Sequence, residues 1–518
     1  MLKFPFEFLR APNSGTDNRI TYQRLCWLAL AALIIRLAVG FTCNNTHRPD
    51  EIYQYLEQAH RLVFGYGFIP WEFRYGARSW LIPFFVAGPL FLCKLVHCDQ
   101  PSIYIPAVKT ALSLLSISLI FSTYFIGKSL VSEKAGWLSA IFCSFWYELV
   151  YFSFRPFTDI ISAYFVVAAI AFFLYKDRKA APALFGFCNA MSLALRVQLL
   201  PVTIALLVLS VLRFHRRQFF QSMGAFAVII VLAGFVDYLT WGQWFISYYN
   251  TVLFQWVYGV SNFWGKQEAL YFFKTLLSTS AGVLPLAFLL SIFFFRNQFK
   301  LLIALVSLEV IVHSLIAHKD YRYVFMTIPF MLIIAASVIT LLVEQSGPEI
   351  QKRRPVLLAT LIMMAISVLG ALNDLPGEKV VYPFVPIFRT QDHKLALLYV
   401  SKQNDVTGIC VHSSVCNWWE SGGFYYLHKD VPFYFTKNEY EVRQVAGIIS
   451  YWLCSLLEPI LPGFRKVTRI ETVVIWQKEQ APPTYQQPKQ QRLPIYSPNI
   501  PQPGIDDKYK PDVHPFLR

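Results

Sequence analysis

The chain has 518 residues, 55% of them hydrophobic and only 15% charged, with a formal net charge of +15. A soluble domain usually carries about 25% charged residues, so this balance argues against a soluble enzyme. The Lys and Arg excess falls in short loops between apolar blocks, and no nucleic-acid-binding module is recognisable. The positive charge therefore points to loop orientation and anionic lipid, and no nucleic-acid partner is expected.

Residues 1–24 carry Lys3, Arg10, Arg19 and Arg24 and precede an apolar block from Leu25 to Phe41. No small-residue cleavage site follows, so this block reads as a first span and 1–24 as a cytoplasmic N-terminus. Further candidate spans are 80–97, 106–126, 136–151, 158–175, 181–195, 199–212, 222–240, 271–295, 299–317, 324–343 and 355–372. Several are shorter than the ~20 residues an upright helix needs, which predicts broken or shielded segments. The expected fold is an all-α polytopic membrane protein of about 11–12 transmembrane helices over 25–372.

Basic clusters at 176–179, 213–217, 296–300 and 352–354 place those loops in the cytoplasm. The loops 42–79, 151–157, 196–198, 241–270 and 318–323, and everything after 372, then face the opposite side. Twelve crossings would return the C-terminus to the cytoplasm, so one stretch between 80 and 151 is expected not to cross independently.

After Asn373 the pattern changes. His393–Val400 reads as a helix, Gly408–His412 and Thr472–Trp476 as short strands, and Gly422-Gly423 as a turn. Residues 373–478 are expected to form a small extracytoplasmic α/β domain, and the Pro- and Gln-rich 479–518 a disordered tail. Of the nine cysteines, Cys26, Cys93, Cys143 and Cys188 lie in apolar blocks as packing residues. Cys410, Cys416 and Cys454 leave room for one disulfide in the C-terminal domain.

The first outer loop holds the densest chemistry. Ile52, Tyr55, Leu56, Ala59, Leu62 and Val63 recur at helical spacing and form an apolar stripe suited to the membrane surface. Pro49, Asp50 and Glu51 stand at the start of that helix. Two readings follow: the acids complement the helix dipole, or one of them is a general base for an acceptor hydroxyl. Asn44-Asn45-Thr46 is a formal glycosylation sequon, expected to be unused so close to the membrane.

Residues 47–83 run Pro-Asp-Glu, Gln, Glu-x-x-His, Tyr-Gly, Trp-Glu, then Arg-Ser and Pro. In that order they resemble glycosyltransferase family 22, the polytopic mannosyltransferases that use dolichyl-phosphate-mannose. Asp237–Gly265 resembles the family's Gly-Gln-Trp, Asn and Tyr-Gly segment, and His318–Tyr323 its His-Lys-Glu-Phe-Arg-Phe signature. The resemblance covers most of 30–435 and is nearest to the branch adding the third mannose of glycosylphosphatidylinositol anchors. Asp320 and Tyr321 depart from the signature, as does Val411-His412-Ser413-Ser414-Val415 in the tail.

The resemblance implies a C-superfamily glycosyltransferase-like fold with its catalytic domain over 25–372. It implies inverting α-mannosyl transfer from a polyprenyl (dolichyl) phosphate carrier to a lipid-linked glycan or glycosylphosphatidylinositol-type acceptor. Asp50 or Glu51 would be the base. His47, Arg78, Arg155, Arg196, His318, Lys319 and Arg322 would contact the donor phosphate or substrate, with snorkelling at a helix end as the alternative for Arg155 and Arg196. No metal and no cofactor are called for. The membrane would be the endoplasmic reticulum in a eukaryote or the inner membrane in a bacterium. The alternatives are a transporter or flippase of lipid-linked sugars, or a bacterial relative acting on an envelope glycan.

Overall fold

A computed structural model describes residues 17–344, 349–372, 391–457 and 461–480. The first sixteen residues, the start of the expected C-terminal domain and the expected disordered tail beyond Gln480 lie outside the described residues. The described chain forms two compact units, one from residues 17–40, 110–245 and 255–372, the other from 41–109, 246–254 and 391–480.

Helices dominate because a helix is the one open-ended structure that satisfies all its backbone groups internally in lipid. Among the described residues, six are long and apolar enough to span a membrane: Ile20–Thr42, Pro101–Leu130, Arg216–Trp241, Arg296–Ser314, Thr327–Glu344 and Arg354–Leu372. Four shorter apolar helices cover Leu81–Leu95, Thr158–Leu174, Ala181–Leu195 and Val197–Arg213. The protein is a multi-pass membrane protein.

In the larger unit, Thr327–Glu344 is the central helix, with 72% of its apolar window buried. Ala181–Leu195 packs closely on Arg216–Trp241, since a Cβ on Gly186 would lie 2.0 Å from the Ser222 carbonyl oxygen. Arg36, inside the first span, is buried and donates to the Cys143 carbonyl at 3.2 Å.

The span expected over 271–295 is broken. The chain bends by 112° between Tyr271–Thr279 and Val283–Phe294. The cause is local: Ala281 and Gly282 take left-handed φ of 48° and 78°, which no helix continues through. Between 80 and 151 the helices are Leu81–Leu95, a continuous Pro101–Leu130, Glu133–Phe145 and the short Tyr147–Tyr151. Leu81–Leu95 is shorter than a bilayer requires and packs on the helix of the first outer loop.

The second unit carries a five-stranded sheet of β1 Ile409–His412, β2 Phe433–Thr436, β3 Tyr451–Cys454, β4 Phe464–Ile470 and β5 Val473–Lys478. The order is β2-β1-β3-β5-β4, with β1 parallel to β2 and β3, and β5 antiparallel to β3 and β4. Its core is Cys410, Tyr434, Val442, Ile449, Trp452, Val474 and Trp476. The expected helix is present as Asp392–Ser401, and Gly422 and Gly423 make the expected turn at φ of 95° and 63°.

All nine cysteines are free, so the C-terminal domain holds no disulfide. Cys410, Cys416 and Cys454 serve as buried apolar groups. Cys26 is exposed on its helix and is not a packing residue.

Candidate active site

The chain enters the first-loop helix at Pro49. Residues Glu51–Leu56 make a π-helical turn, and Glu57–Phe64 continue as α-helix until Gly65. Such turns are rare and recur at functional sites. Glu51 is buried, and its Oε2 accepts the His47 backbone N–H at 2.9 Å. Asp50, one residue earlier, is half-buried.

This helix is not the surface helix that its apolar stripe predicts. Every residue from Glu51 to His60 is buried. The polar face is covered because each polar side chain has a built partner. Gln58 donates to the Tyr53 and Phe68 carbonyls at 2.7 and 2.9 Å. Tyr53 donates to the Trp418 carbonyl at 2.8 Å and shares a hydrogen bond with Ser421.

Glu57 is fully buried and accepts three backbone N–H groups: Phe68 at 2.8 Å, Phe424 at 3.2 Å and Tyr425 at 2.9 Å. Burial pushes its carboxyl up to about 7, against the pull of those N–H groups and of Arg61. His60 Nε2 lies 3.0 Å from His428 Nδ1. Burial first, then His428, holds His60 down at about 3, so it is neutral. The family-like Glu-x-x-His motif is thus a clamp on residues 421–428. Sequence reading missed Glu57, His60, Gly423 and His428, because their partners lie more than 360 residues away.

Gly423 makes the clamp tight. A Cβ there would lie 2.7 Å from Glu57 Oε2, and its φ is +63°. Gly423→Ala should therefore destabilise the protein by about 1–3 kcal/mol through strain and displacement of the buried carboxylate. A lowered melting temperature checks this, with Gly447→Ala, where a Cβ would meet nothing within 4 Å, as the control.

Arg78 follows a short segment that is fastened at several points. Trp71–Arg74 makes one helical turn, and Gln54 Nε2 donates to Glu72 Oε1 at 2.8 Å. Asn250 donates to the Tyr75 and Gly76 carbonyls at 2.9 and 3.4 Å, and Thr251 to Ala77 at 2.7 Å. The Trp71 ring meets Phe254 with centroids 5.6 Å apart. Burial pushes the Glu72 carboxyl up to about 7. Arg78 pulls it down and Asp50 pushes it up. Asp50 and Arg78 thus both act on the Glu72 carboxyl, which Gln54 ties to the loop helix.

The remaining expected cations belong to the other unit. Arg155 is 1% exposed and lies over the Tyr151 ring at 4.0 Å, and Arg196 is 5% exposed, so both guanidinium groups are buried within the protein. Arg196 pairs with Asp159 and lies 3.3 Å from His313 Nε2. Arg322 holds Asp320 through Nε and Nη2, both at 3.2 Å, and lies 3.9 Å from Asp159. His318 Nδ1 lies 2.9 Å from the Gly265 carbonyl oxygen. Lys319 is buried, and its Nζ donates to the carbonyls of Gln267 and Ile316 at 3.1 and 2.7 Å. Desolvation lowers its pKa, and no carboxylate faces it among the described residues.

The Thr46 hydroxyl of the sequon receives Lys394, and Asn44 Oδ1 accepts the Gln391 N–H at 3.3 Å. Among the described residues no group of three His, Cys, Asp or Glu could hold a metal.

A GPI mannosyltransferase 3 from Yarrowia lipolytica is 28% identical over 440 residues, covering 81% of this chain and 78% of that protein. A GPI alpha-1,2-mannosyltransferase 3 from Bos taurus is 23% identical over 330 residues, covering 62% of this chain and 60% of that protein. The crystal structure of ArnT from Cupriavidus metallidurans bound to undecaprenyl phosphate matches with a TM-score of 0.58 at 9% identity, over 88% of this chain and 98% of that one. At that identity the match shows a shared fold and nothing more. The model of the Alg9-like mannosyltransferase family matches residues 27–418, and the chain is accordingly a membrane glycosyltransferase that belongs to that family.

Proposed function

We propose that the protein is an inverting α-mannosyltransferase that moves mannose from a polyprenyl (dolichyl) phosphate carrier to a glycosylphosphatidylinositol-type acceptor in the endoplasmic reticulum membrane. Family membership and the names of the yeast and cattle relatives support this reading. The observation that carries the mechanism is the contrast between two adjacent acids. Glu51 is buried and engaged with the His47 N–H, whereas Asp50 is only half-buried at the first turn of a rigid helix. Asp50 is therefore the base: it takes the acceptor hydroxyl proton as that oxygen attacks the sugar. A single displacement needs no protein nucleophile, and the β-linked lipid phosphosugar becomes an α-mannoside.

The leaving phosphate gains charge and calls for cations. Arg78, like Asp50, acts on the Glu72 carboxyl. Among the other expected cations Lys319 is a stronger candidate than Arg196 or Arg322, because those two are matched by Asp159 and Asp320. His47 and His318 remain candidates for substrate hydroxyls. Lys319→Met should lower kcat by on the order of 10²-fold, the usual cost of one electrostatic stabiliser, and also lower the melting temperature, because the Gln267 and Ile316 carbonyls lose their donor; kcat per folded protein separates the two effects. Arg322→Ala should instead lower the melting temperature, since it removes the guanidinium that holds the buried Asp320 through Nε and Nη2.

The experiment supplies purified protein in lipid with labelled mannose on a polyprenyl-phosphate carrier and a panel of mannosylated lipid acceptors. Transfer to a glycosylphosphatidylinositol intermediate supports the reading. Movement of the carrier across the bilayer without any new glycosidic bond would overturn it in favour of a flippase.

A further inference from the structure

Glu72 has no step in the reaction described above, yet few side chains in its unit are so constrained. It is 8% exposed, and one oxygen accepts the Gln54 amide at 2.8 Å. Its own carbonyl accepts the Ala77 N–H at 2.7 Å. The next three carbonyls that follow Arg74 are pinned by Asn250 and Thr251. Gln54 lies one helical turn beyond Asp50, so its bond ties the 70–78 segment to the start of the base helix. A buried carboxyl without a partner is costly, and this one has three charged or polar neighbours arranged around it: Gln54, Arg78 and Asp50.

We propose that Glu72 is a positioning residue for sugar transfer, clamped to the base helix by Gln54 so that its ionised carboxylate helps Asp50 accept the acceptor proton against the opposing charge of Arg78. This rests on the assignment of Asp50 as base. In the step itself the acceptor O–H proton passes to the Asp50 carboxylate. The acceptor oxygen bonds to the anomeric carbon, and the bond from that carbon to the phosphate oxygen breaks with its electron pair leaving on phosphate. Negative charge beside Asp50 favours the proton on Asp50 in the transition state, and positive charge opposes it.

Burial holds the Glu72 carboxyl at about 7, so it ionises as the pH passes neutrality. Its negative charge is absent below that value and present above it. Transfer should therefore rise with pH through that window. Glu72→Gln keeps the shape and a carbonyl for the Gln54 contact but removes the charge. The expected result is a kcat lowered about tenfold on the alkaline side, equivalent to a one-unit change in the driving force for proton transfer. The donor KM should stay within about twofold, the melting temperature should stay within about 2 °C, and the rise through neutrality should vanish. Glu72→Asp should restore part of the rise.

A Glu72→Gln protein that keeps the wild-type pH profile would overturn the proposal. So would one that loses several degrees of melting temperature while Glu72→Asp fails to restore the rise, since the role would then be structural. Asp50→Asn run alongside separates the two readings. Near-normal activity in that variant removes Asp50 as base, whereas an inactive Asp50→Asn with an unaltered Glu72→Gln profile removes Glu72 alone.

Discussion

Asp50→Asn should lower kcat by about 10²–10⁴-fold, the usual contribution of a positioned general base, while the donor KM and the melting temperature stay close to wild type. The amide cannot take the proton, but it fits the same half-buried place at the first turn of the helix. Glu51→Gln should behave differently. It keeps a carbonyl for the His47 N–H but removes a negative charge from the positive end of a helix, so it should cost about 0.3–1 kcal/mol of stability with kcat within about tenfold. Steady-state kinetics and thermal unfolding on the same preparations distinguish the two. Equal losses of kcat in both variants would assign the base to the pair rather than to Asp50.

The second large effect belongs to Glu57. Glu57→Ala should destabilise the second unit by on the order of 3 kcal/mol, because it strands three buried N–H groups at once. Melting temperature and limited proteolysis around residues 421–428 read this directly. The same carboxyl should give stability a pH dependence. Its ordinary value is 4.5 and its folded value about 7, so the folded state holds a proton that the unfolded state has released between those values. The stability from that proton is complete below 4.5 and is lost as the pH rises through 7. In Glu57→Ala the decline of melting temperature across this window should become shallower. Glu57→Gln, a neutral mimic with one carbonyl oxygen, should lie between the two.

The helical architecture was legible because a bilayer demands long apolar runs, and those runs stand out against any soluble composition. Thr158–Leu174, Ala181–Leu195 and Thr327–Glu344 fall within a few residues of where hydropathy places them. The break at Ala281-Gly282 did not register, because a left-handed pair leaves apolar composition untouched. Strands β2, β3 and β4 were missed for a related reason. They are four to seven residues long, and β2 and β3 are buried along their whole length, so neither shows the alternation that marks a half-exposed strand.

The Asp50 motif was legible as a motif, whereas its surroundings were not. Periodicity placed Ile52, Tyr55, Leu56 and Ala59 on one face of a helix, and they do share it. It could not show that Gln54, Glu57, Gln58 and His60 on the other face are buried as well. Polar residues reach that burial only through partners, and those partners come from residues 66–72 and 418–428. Arg322 illustrates the converse. A cation inside a signature reads as a ligand for substrate phosphate, but Asp320, two residues away, already holds it in a bidentate pair.

The clamp on Glu57 also sets an order of events during synthesis. Phe424 follows Glu57 by 367 residues. At a translation rate of about 5–20 residues per second, roughly 20–70 s pass between the appearance of the acid and that of its partners. Throughout that interval the base helix has its polar face made but not covered, with Glu57, His60 and Tyr53 all waiting for residues near the distal end of the chain. A chain interrupted before Gly423 would hold every acid and cation of the proposed chemistry and still lack a finished base helix. The helix that carries Asp50 is thus among the last parts of the chain to mature.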